Sequence, residues 1–183
     1  MIIAGIDFSY GSPSIVVYDN TKEFTFENCK FFNLNKTKKV QGIHSNIEIN
    51  GFADWDTTEE RFYGIATWAM DILQHHKVEH VQIEGYAMGA SSGLVFQIAE
   101  NTGLLKHYMW KAGIKFDAIA PTAVKKSFTG KGNAKKEQMI EEFTRRTGVD
   151  ISQMIGVNSP TTKPVDDLVD SYAILTTSQY LKG

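Results

Sequence analysis

Ile2-Ile3-Ala4-Gly5-Ile6-Asp7-Phe8-Ser9 stands near the start of the chain. A short apolar run that ends in an acid reads as a buried strand over 2–7. The Asp7 carboxylate falls among Ile2, Ile3, Ile6 and Phe8, where a charge costs free energy unless something pairs with it. Either it caps the following turn through Ser9 or Gly11, or it belongs to a site; the strand alone does not decide. Gly11-Ser12-Pro13 is a turn, 14–18 is β-rich, and Asp19-Asn20 signals a second turn. The stretch 24–34, with Phe24, Phe26, Phe31 and Phe32, reads as a third strand, so the spacing predicts an antiparallel meander. Residues 35–56 carry Lys36, Lys38, Lys39, Gly42 and Gly51 without a helical period and read as a long loop or insertion.

Further along, the pattern changes to alternating helices and strands. Asp56-Thr57-Thr58-Glu59 starts a helix with acids in its first turn, followed by the stripe Phe62, Ile65, Ala66, Ala69, Ile72 and Leu73. A strand over 80–83 ends in Glu84 and runs into the glycine-punctuated loop 85–93. A helix over 94–111, a strand over 114–120 stopped by Pro121 and a short helix over 122–128 follow. Asn133 is the expected cap of a helix over 134–147, and Pro160 and Pro164 precede a last helix over 165–181. The expectation is one α/β domain over 1–183, with a mixed five-stranded sheet flanked by helices.

The chain's 183 residues are 42% hydrophobic and 22% charged, which excludes disordered and fibrous classes. No long uncharged apolar run predicts a membrane span, and the start lacks a basic region and meets an acid at position 7, unlike a signal peptide. The single Cys29 excludes an intrachain disulfide framework or a multi-cysteine metal site, so a cytoplasmic location is expected. The net charge is −2, but between Thr122 and Arg146 seven bases face three acids. That stretch, with Lys125, Lys126, Lys131, Lys135 and Lys136, is the expected source of phosphate contacts, against the plainer reading of a solvated helix and loop. Gly130-Lys131-Gly132 lacks the spacing of a Walker loop.

Glu84, like Asp7, ends a strand, where sites gather in α/β folds, although a solvated strand end needs no function. Asp166, Asp167 and Asp170 open the last helix, where acids also suit the dipole. Asp170 shares a face with Asp167 at i, i+3, or with Asp166 at i, i+4. If the sheet gathers these carboxylates, only cations between them explain the cluster at neutral pH. An all-oxygen set favours Mg²⁺ or Mn²⁺, and two such ions can activate a water and stabilise a leaving oxygen in phosphodiester cleavage. The adjacent His75 and His76, and His44, His80 and His107, lack ligand spacing; Ser91-Ser92 has no base nearby in sequence and reads as a loop and helix cap. Trp55, Trp68 and Trp110 read as core or interface residues.

Gly5-Ile6-Asp7-Phe8-Ser9, Ile83-Glu84-Gly85, the stretch from Gly130-Lys131-Gly132-Asn133-Ala134-Lys135-Lys136 to Gln138, and Asp167-Leu168-Val169-Asp170-Ser171-Tyr172-Ala173 together resemble RuvC-type Holliday-junction resolvases, the phage-like branch in particular. The resemblance covers nearly the whole chain in the family's order. It implies an RNase H-like fold and a homodimeric, Mg²⁺-dependent endonuclease with two ions per site, for which Mn²⁺ can substitute, acting on four-way DNA junctions. It implies Asp7, Glu84, Asp167 and Asp170 as metal ligands, Lys136 near the scissile phosphate and Lys125 as another basic position. If the protein is phage-encoded, it implies the host-cell cytosol. The chain departs from the bacterial pattern at Ala87, where those proteins carry an aromatic residue at the junction centre; Tyr86 is the candidate to replace it by stacking on an unpaired base.

Three other readings compete. A broad-specificity debranching nuclease, or a junction-binding protein with a dead site, differs by its substrate range or by lack of metal-dependent turnover. An actin-like kinase would need two related domains, for which 183 residues are too few.

Overall fold

A computed structural model describes residues 1–86, 94–159 and 161–181. Ala87, Ser91, Ser92 and Pro160, which the sequence reading singled out, and the rest of the predicted loop from residue 87 to 93 lie outside the described residues. The elements are β1 (Ile2–Asp7), β2 (Ser14–Asp19), β3 (Cys29–Leu34), β4 (Gly42–His44), β5 (Ile47–Asn50), α1 (Thr58–His75), β6 (His80–Glu84), α2 (Leu94–Lys111), β7 (Lys115–Ile119), α3 (Pro121–Thr129), α4 (Lys136–Thr147), α5 (Ile151–Met154) and α6 (Val165–Leu175). They form a mixed sheet in the order β4-β5-β3-β2-β1-β6-β7.

The meander is as expected: β2 pairs antiparallel with β1 and with β3. β6 lies parallel to β1, and β7 parallel to β6, each reached through a helical crossover. The sheet has seven strands rather than five, because 35–56 is not a plain loop. Ile47 and Ile49 are buried, and β5 pairs parallel with β3 while β4 turns back on it. The third strand is shorter than 24–34. Phe24 stacks on Tyr172 of α6 and Phe26 packs on Phe31 and Phe143, so these rings fill the core from a loop. The α4 cap is Lys135, not Asn133: its amide donates to Gln138 Oε1 at 3.0 Å. The last helix ends at Leu175 rather than 181.

Alternation along the strands builds two cores. Ala4, Ile6, Ile15 and Val17 pack with α1 and α2. Ile3, Val16, Tyr18 and Phe31 face α3, α4 and α6. By the same alternation, Gly5 and Asp7 share the α6 face with Ile3. α6 presses so closely on β1 that a Cβ on Gly5 would stand 2.6 Å from the Leu175 amide nitrogen. The Ser14 and Ser171 hydroxyls, 3.0 Å apart, fix the same helix to β2. α1 begins as predicted: Thr57 Oγ1 accepts from the Glu60 amide at 3.2 Å, and the Glu60 carboxylate accepts from the Thr57 amide at 3.1 Å. Among the described residues, no helix is long and apolar enough to cross a membrane.

Candidate active site

The last parallel pair of β1 and β6 is Ile6 with Ile83, so Asp7 and Glu84 are the next residues on neighbouring strands. Val81 and Ile83 point to the α1–α2 core, which turns Glu84 to the face that carries Asp7 and α6. Ser9 Oγ accepts from the Ser12 amide at 3.2 Å, closing the turn after β1 by itself and leaving Asp7 free of that duty. α6 brings Asp167 and Asp170 to the same end: Ser171, next to Asp170, meets Ser14, the strand partner of Asp7. Burial, reinforced by Asp170, Glu84 and Asp167, pushes the Asp7 carboxyl well above the usual carboxylate range, with Lys163 opposing. Burial, then Glu84, Asp166 and Asp167, pushes Asp170 up to about 7, with Lys125 opposing. Burial also raises Glu84, again against Lys125, and burial and Asp166 raise Asp167. Asp7 and Asp170, each raised by its acidic neighbours as well as by burial, stand at the centre of the cluster.

Asp166 and Asp167 both point into the structure, each 4% exposed. Asp166 is paired with Lys136 from the start of α4, and Asp167 Oδ1 with Lys163 Nζ at 3.1 Å. Lys136 therefore reaches the acids, while Lys125 stands where it acts on Glu84 and Asp170. Lys126, Lys131 and Lys135 are exposed. Tyr86 is 44% exposed and sits beside Asp7 and Glu84 in a cleft of about 180 Å³, with Lys106 Nζ 5.0 Å from its ring centroid. A larger cleft of about 790 Å³, lined by Trp68, His75 and His76, includes none of the four acids. Sequence reasoning missed Lys163. Its signal was the i, i+4 spacing to Asp167, hidden by the intervening Pro164.

Among the described residues, no three His, Cys, Asp or Glu side chains are gathered closely enough to ligate one ion. The acids are neighbours, with two lysines drawn onto them, rather than a closed ligand set. The donor chemistry nonetheless suits a hard divalent cation. Asp166 Oδ1 and Asp167 Oδ2 are buried without a hydrogen-bond partner, and every candidate donor is a carboxylate oxygen.

The sequence matches the family Crossover junction endodeoxyribonuclease RuvC over residues 35–153. The chain belongs to that family. The matched span holds Glu84, Lys125 and Lys136; Asp7, Asp167 and Asp170 lie outside it. The fold is also that of solved RuvC structures. The chain is similar to Thermus thermophilus RuvC at 18% identity, covering 95% of this chain and 92% of that one, with a TM-score of 0.60. T. thermophilus RuvC in complex with Holliday junction substrate gives 16% identity, 95% and 92% coverage and a TM-score of 0.63. The yeast mitochondrial Holliday junction resolvase Ydc2 gives 14% identity, 94% and 75% coverage and a TM-score of 0.52. RuvC membership makes this chain a junction-cleaving nuclease and a divalent metal its cofactor class.

Proposed function

We propose that this RuvC-family nuclease resolves four-way DNA junctions by phosphodiester hydrolysis at the site formed by Asp7, Glu84, Asp167 and Asp170. The observation that carries the reading is the meeting of strand-end acids on β1 and β6 with two acids of α6 on one face of the sheet. These four residues would hold Mg²⁺, with Mn²⁺ as substitute and two ions per site. The bound metal supplies a water of lowered pKa and stabilises charge on the phosphate oxygens. The chain's own residues do the rest. Lys136, oriented by Asp166, neutralises the scissile phosphate; Lys125 holds the adjoining backbone; Lys126, Lys131 and Lys135 extend the phosphate track. Tyr86 offers an exposed ring on which an unpaired base at the branch stacks.

The chain acts as one unit over 1–183 and as a homodimer, in the compartment that holds its DNA. Phe96 and Trp110 on α2 are 75% and 72% exposed, an apolar surface suited to a second copy. Two sites related by a two-fold axis would then face opposing strands of the junction.

Cleavage of a labelled four-way junction and a matched linear duplex, in Mg²⁺, in Mn²⁺ and with EDTA, tests the reading. Paired symmetric nicks in the junction alone are expected. Cutting of flaps and Y-forms at equal rates would replace junction resolution by general debranching, and binding without cutting in either metal would overturn the catalytic assignment.

A further inference from the structure

β1 and β3 are each antiparallel to β2, β5 is parallel to β3, and β6 is parallel to β1. The chain therefore leaves β3 and β5 on the same edge of the sheet at which Asp7 and Glu84 end β1 and β6. Leaving β3, it presents Lys36, Lys38 and Lys39, all exposed, and no acid occurs from residue 35 to residue 47. Leaving β5, it presents the half-buried rings of Phe52 and Trp55, with Lys36 Nζ 5.3 Å from the Trp55 ring centroid.

This surface is fixed in place relative to the acids. Arg61 Nη2 donates to the Tyr10 carbonyl at 2.7 Å, and its guanidinium lies 3.6 Å from the Tyr10 ring centroid and 4.6 Å from that of Trp55. Tyr10 follows Asp7 by three residues. Arg61 thus ties the 51–57 loop to the turn that leaves the acid site. The acids Asp54, Asp56 and Glu59 border the surface on the α1 side, and Glu60 is turned into the helix cap.

The basic stretch of α3 and α4 packs with α6 on the face of the sheet that carries Asp7, whereas Tyr10 and Phe52 pack in the α1–α2 core on the other face. We propose that the Lys36-Thr37-Lys38-Lys39 loop, braced by Trp55 and Arg61, is a second DNA-backbone contact surface at the end of the sheet that carries the acids. The inference rests on the nuclease reading and adds to it a second place at which the DNA backbone is held.

The test is junction binding by fluorescence anisotropy in EDTA over a range of salt, comparing wild type, the triple variant K36Q/K38Q/K39Q and a control, K22Q/K77Q, whose lysines are exposed and lie on the opposite edge of the sheet. Three lost phosphate contacts reduce the slope of log K against log salt by about 2.7. We expect the triple variant to show that reduced slope and to bind at least tenfold more weakly at moderate salt, with the wild-type melting curve; the control should bind as wild type does. A triple variant with wild-type affinity and slope overturns the second surface while the nuclease reading stands. A wild type that neither binds nor cuts the junction overturns both.

Discussion

Lys163 Nζ lies 3.1 Å from Asp167 Oδ1, so a half-exposed ammonium reaches a buried carboxylate. The pair gives the acid cluster a positive charge of its own, and the same lysine lowers the proton affinity of Asp7. Removing it leaves a buried carboxylate unpaired at a cost of about 1–3 kcal/mol. Lys163→Met should therefore melt several degrees below wild type in EDTA at pH 8, and should gain more than wild type when Mg²⁺ is added. Equal melting temperatures in EDTA would show that the pair contributes nothing.

The raised carboxyls set the sign of a pH effect. With Asp170 pushed up to about 7, and Asp7 and Glu84 also raised, the folded protein binds more protons than the unfolded chain between about pH 4 and 7. Stability therefore falls as pH rises through that window. In EDTA the melting temperature should be higher at pH 5 than at pH 8. Divalent metal, which needs the ionised carboxylates, should flatten the difference by stabilising the protein at pH 8. Thermal melts across this range, with and without Mg²⁺, check both halves.

Asp7 gives up stability for its position, because its charge is buried among other acids. Asp7→Asn removes that charge with little change of shape. It should abolish junction cleavage, by at least about 10³-fold on the scale seen for lost catalytic groups, while junction binding survives and the metal-free melting temperature at pH 8 rises. Full cleavage by the variant would remove Asp7 from the site.

At Gly5, α6 presses so closely on β1 that no side chain fits between them. A methyl group there meets backbone rather than a flexible side-chain end, so Gly5→Ala must displace the helix. Overpacking of this kind costs about 1–3 kcal/mol. Because α6 carries Asp167 and Asp170, cleavage should fall further than stability alone explains. Urea melts beside single-turnover cleavage separate the two effects.

Much of this arrangement was legible in the sequence. Short apolar runs ending in Asp7 and Glu84 gave their strands and strand ends, and the apolar stripe after Thr57 gave α1. The β4–β5 hairpin was not legible, because β5 has only Ile47 and Ile49 to signal a period of two and glycines stand on both sides. The rings at 24 and 26 imitated a strand because packing on Tyr172 and Phe143 demands the same residue types. Arg61 and Tyr10 are 51 residues apart, and their contact exists only once the sheet has formed. The pairing of Asp166 with Lys136 and of Asp167 with Lys163 likewise depends on how α4 and α6 meet, which i, i+3 and i, i+4 spacing could not decide.

Asp7 lies on the first strand and Asp170 on the helix that follows every other element described. A ribosome making this chain releases β1 early and α6 only after all seven strands. Until then the nascent protein carries Asp7 and Glu84 without Asp167 or Asp170, and β1 has no helix pressed against Gly5. The order of synthesis thus keeps the acid cluster unassembled until the sheet exists to hold it.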